Sequence, residues 1–310
     1  MYFAFHGGQS LSRLAAFLFK QMALLLTMLS MEQQEPLRVI ALAAGVQSTY
    51  VYLASSMGLY RRADYAIFVD LGHEPYWVYE NMHKLIKWSI DNKGIPIIWL
   101  KQKNLLIDMV RGALGLITSV PAIPAFIDGG GGRARMLSRH CTAKYKIEQM
   151  EQLTRKLMGV KPYKHAQPSI VYLGISSDEV ERLAHPQGFN QTNYYPLAGY
   201  STTRESVFKM EGHEPVSRIQ ILGKLRGLGF AGVKSSSCTI CPYVSGAFRL
   251  EMSDREWDNL RVAEWAVNIG YRGNVSSLVY MSTDLLSVEQ LRARQVNTPS
   301  LFNCSDVCST

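Results

Sequence analysis

Three groups of residues have the types and spacing to do chemistry. Cys238 and Cys241 form a C-x-x-C in the Ser-rich loop "SSSCTICPYVSG", and Cys141 stands far upstream, just before a run with helical spacing. Two thiolates so spaced can share a metal, and a third from a separate loop would make three soft ligands. Such a set fits a [4Fe-4S] cluster with one open iron, zinc completed by a histidine such as His140, or no metal at all and a plain set of reduced cysteines. The second group is "ALAAGVQSTY", which includes Ala43, Gly45, Gln47, Ser48 and Thr49. Gly45 lets backbone approach an anion, and Ser48 and Thr49 would put hydroxyls and amides at a helix N-terminus, where unpaired donors and the dipole favour negative charge. No Gly-Lys-Ser/Thr follows, so it is not a Walker loop. The third group is cationic and acidic. Arg182 and Arg204 could clamp a tetrahedral anion bidentately, or pair at the surface with Glu179 and Glu205. Asp178 and Glu179 could hold Mg²⁺ as hard oxygen ligands, or cap their loop.

Elements must position these residues. "LRVIALA" is a β-favouring apolar run followed closely by Gly45, and "STYVYLASSMG" has helical spacing with a glycine stop. "ADYAIFVD", a helical "EPYWVYENMHKLIKWSIDNKG", "IPIIWL" and, later, "SIVYLGI" continue the pattern. Strands alternating with helices predict a doubly wound parallel α/β sheet with ligands beyond the carboxyl ends of its strands. "TSVPAIPAFIDGGGGRAR" reads as a flexible loop, either a lid or a linker. After Gly199 the pattern turns helical, in "TTRESVFKMEG", "VSRIQILGKLRGLG" and "SDREWDNLRVAEWAVNIG". The expected organisation is an N-terminal extension over 1–36, an α/β domain over 37–199, and a helical C-terminal subdomain with the C-x-x-C over 200–310.

Composition narrows the class. The chain has 310 residues, 47% hydrophobic and 19% charged, which is enough apolar material for a core and argues against disorder. Thirty-three Lys and Arg against twenty-five Asp and Glu leave a charge of +8, favouring a polyanionic partner. Nine of those bases fall between Arg133 and Lys164, against only Glu148 and Glu151; the stretch is either a solvated surface or a phosphate contact. Five scattered cysteines do not make a secreted disulfide framework, so a reducing, cytoplasmic compartment is expected. Residues 14–31 are apolar after Arg13, but Lys20 and Gln21 interrupt them, which disfavours a membrane span and leaves an extension outside the fold. Cys304 and Cys308 read as part of a mobile terminus.

Taken in order, "AAGVQST", "AIFVDLGHEPYWVYENM", "RHCTAKYKIEQM", "LGISSDEVERL" and "YYPLAGYSTTRESV" followed by "SSSCTICPY" resemble the phosphoadenosine phosphosulfate reductase-like branch of the adenine nucleotide alpha-hydrolase superfamily, the PP-loop ATP pyrophosphatases. The resemblance runs from about Leu37 to Trp265. It implies an adenine nucleotide with its phosphates on the loop around Ala43, Gly45, Gln47, Ser48 and Thr49, near Gly174, and its adenosine close to Asp70. Ala43, Ala44 and Gln47 depart from the superfamily's Ser-Gly-Gly-x-Asp-Ser, which removes a serine donor. The implied activity is ATP- and Mg²⁺-dependent adenylation of an acceptor, with Arg182, Arg204 and Asp178 as catalytic residues, followed by sulfur transfer. The acceptor would be a nucleic acid (tRNA or DNA) or a small molecule, alongside a sulfur donor and no membrane. In sulfur-inserting relatives, Cys141, Cys238 and Cys241 would correspond to cluster ligands. One alternative is a phosphoadenosine phosphosulfate reductase, although the Glu-Cys-Gly-Leu-His type segment that carries the nucleophile of those enzymes is missing, so Cys304 or Cys308 would have to substitute. The other is a nucleotide-binding module without turnover.

Overall fold

Val39 and Ile40 are adjacent in sequence, point to opposite faces of one strand, and are both fully buried. That needs a sheet covered on both sides. In the computed structural model, which describes residues 35–160, 168–188, 190–271 and 277–296, their strand β1 (Leu37–Ala41) is central in a seven-stranded sheet. On one side lie β2 (Tyr65–Val69) and β3 (Ile97–Leu100); on the other lie β6 (Ser169–Tyr172), β7 (Gln191–Tyr195), β8 (Tyr200–Thr202) and β9 (Val207–Lys209). The first five run parallel, and β8 and β9 add an antiparallel edge. The expected α/β class with a mostly parallel sheet is therefore observed.

Each face has its own cluster. Ile40 packs in a cluster that includes Val51 and Leu53 of α1 (Val46–Ser56), Val78 and Met82 of α2 (Tyr76–Asp91), and Ile221 and Leu225 of α5 (Arg218–Gly227). Val39 packs with Met109 of α3 (Leu105–Ala113), Met150 of α4 (Glu148–Leu157) and Leu260 and Ala263 of α7 (Asp254–Gly270). Fully burying each such aliphatic side chain stabilises by about 1.5–3 kcal/mol. Capping boxes at Ser217–Gln220 and Ser253–Glu256 set where α5 and α7 begin, each satisfying two orphan donors. A short π-helical turn, Ala143–Ile147, leads into α4, and a 3₁₀ turn spans Ser177–Arg182.

Two stretches differ from expectation. "TTRESVFKMEG", read as helix, instead closes the β8–β9 hairpin: Thr203 N–H donates to Ser206 O, and Val207 registers with Thr202. The sheet thus continues past residue 200, and the helices begin only at Arg218. The proline–glycine stretch read as a flexible loop holds β4 (Phe126–Asp128) and β5 (Ala134–Met136), which join β10 (Val279–Tyr280) in a second, antiparallel sheet. Its glycines form the hairpin tip, with Gly130, Gly131 and Gly132 all at positive φ, where a side chain would be strained. The short helices α6 (Gly246–Leu250) and α8 (Val288–Val296) are the remaining helices among the described residues. Apart from Glu35 and Pro36, the expected extension lies outside the described residues, as do Cys304 and Cys308. Among the described residues, no helix is long and apolar enough to cross a membrane.

Candidate functional site

The chain leaves β1 toward β2 on one side while β6 lies on the other, so a crevice opens where the two connections diverge. There the structure has a cavity of about 840 Å³. Ala43, Gly45, Gln47 and Ser48 form one wall, and Gly174 and Glu179, from beyond β6, form another. A third comes from the Ser235–Cys241 loop.

The first wall is the N-terminus of α1. Its N-cap is Gly45, which has no side-chain cap, and its first turn carries no acidic residue, so the orphan amides there are left for an anion. The loop holds itself in place: Ala43 N–H donates to Ser48 Oγ at 3.2 Å, and Asn81 Nδ2 donates to Ala44 O and Thr49 Oγ1, both at 2.8 Å. Thr49 is fully buried and its hydroxyl serves Asn81 rather than the cavity. Ala44 sits at φ +55°, the left-handed region where a non-glycine residue is strained. Two close approaches require glycine. A Cβ on Gly45 would lie 2.9 Å from Ser236 N, and one on Gly174 would lie 2.8 Å from Ser48 N.

Five basic side chains line the cavity, Arg139, Lys146, Arg182, Arg218 and Lys234, against two carboxylates, Glu179 and Glu251. Both carboxylates are spoken for. Glu251 pairs with Lys234, and Glu179 pairs with Arg182 at 2.5 Å while accepting from Gln47 Nε2 at 2.9 Å. Arg218, missed in the sequence, is the first residue of α5; its guanidinium donates to Ser235 Oγ at 2.7 Å and to Gln47 Oε1 at 3.5 Å, and its buried Nε has no partner among the described residues. The Ser217 capping box could have marked that helix start, but nothing in the sequence says that it opens on the crevice.

Compared with family models, curated proteins and solved structures, the chain matches none at a significant level. Function must therefore be argued from the site.

Several expected site residues stand elsewhere. Asp70 is almost fully buried, and its carboxylate accepts from Gly72 N–H at 2.7 Å, Tyr79 OH at 3.0 Å and Trp99 Nε1 at 3.1 Å; it organises the turn after β2 and does not line the cavity. Arg204 is exposed in the β8–β9 turn, also off the cavity. Asp178 accepts the Arg218 backbone N–H at 3.2 Å; burial pushes its pKa up, but hydrogen bonds from Ser176 and from backbone N–H groups outweigh this and hold it below the usual carboxylate range. Of the proposed Mg²⁺ pair, only Glu179 lines the cavity.

All three cysteines do line it. Burial pushes the Cys238 thiol far up, the Glu74 carboxylate adds to this, and Lys146 opposes it; burial also raises Cys241. Glu74, almost fully buried, accepts from Lys146 Nζ at 2.7 Å and lies 3.9 Å from Cys238 Sγ. Burial works against the Lys146 ammonium, yet the Glu74 carboxylate and Cys238 raise its pKa overall. Soft sulfur donors are the right type for a cluster or zinc. As they stand, however, no three His, Cys, Asp or Glu among the described residues converge closely enough to hold a metal ion, and His140 is exposed at the surface.

Proposed function

We propose that this chain binds Mg·ATP in the cavity and adenylates an acceptor oxygen, in the manner of the PP-loop enzymes its sequence resembles. The observation that carries this reading is the uncapped N-terminus of α1 facing Gly174 and Arg218 across a basic crevice at the switch point of a parallel sheet. Such a terminus offers aligned amides, and a guanidinium offers a fork, to phosphates whose charge grows as pyrophosphate departs. In the proposed reaction the acceptor oxygen bonds to the α-phosphorus and the bond to pyrophosphate breaks. A sulfur nucleophile then takes the acceptor carbon, and AMP leaves.

Arg218 replaces Arg204 as the expected anion clamp, because it reaches both the phosphate loop and the Ser235 wall. Glu179 orients Gln47 and Arg182 at the mouth. The cysteines are of the right chemistry for a metal but not at its spacing, so no step runs through one. Their place on the cavity wall supports sulfur chemistry beside the nucleotide. Incubating the protein with Mg·ATP and measuring binding and pyrophosphate release tests the reading; absence of ATP binding overturns it.

A further inference from the structure

The seven-stranded sheet ends in β9, whose outer edge pairs with no other strand among the described residues. Thr203 N–H donates to Ser206 O and Met210 N–H donates to Gly199 O, which fixes the hydrogen-bonded pairs of the β8–β9 ladder. Such pairs alternate along an antiparallel ladder, so Phe208 turns its backbone N–H and C=O inward to β8. Val207 and Lys209 turn theirs outward, away from the sheet.

The side chains on this edge are both apolar and charged. Val207 and Phe208 are 52% and 51% exposed, although β-branched and aromatic residues are the types that pack best against a neighbouring strand. Glu205, in the turn that leads into β9, and Lys209 are exposed as well, and among the described residues neither forms an ion pair. A lysine on an edge usually guards it against pairing. Here Glu205 and Lys209 stand two positions before and two positions after Val207. Antiparallel pairing of two copies about a two-fold axis at Val207 therefore sets Val207 opposite itself, and Glu205 of each copy opposite Lys209 of the other. Phe208 then lies diagonally across from its own copy, within reach of an aromatic side chain. The edge of the second sheet, β5, differs: Arg133 and Arg135 are exposed along it, and self-pairing there sets arginine against arginine.

We propose that two copies of this chain pair edge to edge through β9, antiparallel and with the two-fold axis at Val207, so that one sheet runs through both. Val207 of each copy exchanges its N–H and C=O with Val207 of the other, an isologous contact in which the same patch serves both sides. A second copy is the occupant because the edge complements itself, in charge at Glu205 and Lys209 and in apolar surface at Val207 and Phe208. A three-residue edge buries less than the about 800 Å² per partner of a standard interface, so the dimer is weak, with a Kd of about 1–100 μM. The pairing is independent of the nucleotide reading, since none of these four residues lines the cavity.

Sedimentation equilibrium of the full chain over a concentration series, in low and high salt, measures the dimer, and calorimetry with Mg·ATP reads the cavity separately. Wild type should pass from monomer to dimer across the series, less readily as salt rises. Glu205→Lys and Lys209→Glu should each weaken the dimer about tenfold or more, because two cross-strand pairs change from opposite to like charge. An equimolar mixture of these two variants should dimerise about as well as wild type, since every lysine again meets a glutamate across the axis. Damage confined to the hairpin of one chain would not be repaired by mixing. Val207→Pro removes an outward N–H that β8 does not use, so its melting should stay near wild type while the dimer is lost. The proposal is overturned by a chain that is monomeric at about 1 mM, which would leave the edge to an extended segment of another protein. It is equally overturned by charge variants that dimerise like wild type, by a mixture no better than its components, or by a folded Val207→Pro that still dimerises. ATP affinity should be the same in every variant. Dimerisation without ATP binding sinks the cavity reading alone, and ATP binding by a strict monomer sinks this proposal alone.

Discussion

Gly174 approaches the start of α1 so closely that a Cβ on it would meet the Ser48 amide nitrogen at 2.8 Å and the Gln47 carbonyl carbon at 3.0 Å. Backbone from beyond β6 and backbone from the first turn of α1 thus touch directly, and this contact sets the width of the crevice.

Gly174→Ala should force that contact apart. Overpacking against backbone costs about 1–3 kcal/mol, and the displaced loop should lose at least about tenfold in ATP affinity, because a small misplacement of positioning groups is expensive. Gly223→Ala, whose Cβ meets nothing within 4 Å in the middle of α5, is the control and should stabilise by about 0.5–1 kcal/mol. Thermal melts and calorimetry read both. Wild-type affinity in Gly174→Ala would mean that the contact does not shape the site.

Ala44 occupies the left-handed region at φ +55° while buried to 1%. The strain of about 1–2 kcal/mol is partly offset by the chain entropy a glycine would add, about 0.5–1 kcal/mol. Ala44→Gly should therefore be neutral or stabilising by no more than about 1 kcal/mol, and Ala44→Val should cost about 2 kcal/mol or more. A lower melting temperature for the glycine variant would contradict the assigned backbone conformation.

Arg218 and Arg204 separate the cavity from the sheet edge. Arg218→Met removes a charge-assisted donor worth about 1.5–3 kcal/mol, so ATP affinity should fall roughly 10- to 150-fold. Arg204→Met should change it less than twofold. Equal effects would refute the placement of the anion site.

Asp178 ties the 3₁₀ turn to the start of α5 through the Arg218 N–H. Its folded-state pKa is lowered, so its contribution is present above its unfolded pKa and is lost as pH falls through the lower folded value. Asp178→Ala should melt below wild type at pH 7, and the gap should close as pH falls through and below the ordinary carboxylate range. A gap that stays constant to pH 3 would show that the carboxylate charge is not what anchors the turn.

Much of this was legible in the residues, and the parts that were not have physical reasons. The β1, β2, β3 and β6 runs are apolar on both faces because helices cover both sides of the sheet, and such runs stand out from a single sequence. The β8–β9 hairpin does not, because three-residue strands with Val207, Phe208 and Lys209 all exposed show no alternation. Glycine and serine after the first strand pointed to a loop that does line the cavity. Asp70 and Thr49 could not be separated from the residues that line the cavity, since only packing shows that Asn81 donates to the Thr49 hydroxyl and that Tyr79 and Trp99 donate to the Asp70 carboxylate. Arg218 was hidden because the crevice is assembled from chain segments far apart in sequence, Gln47 and Ser235 among them.

The most direct test is an amide chemical-shift titration with a non-hydrolysable Mg·ATP analogue. The account predicts the largest, saturable shifts at Gly45, Gln47, Ser48 and Gly174, with the Arg218 side chain perturbed and Arg204 unmoved. Saturation with those amides unshifted, or no binding at millimolar analogue, would contradict it.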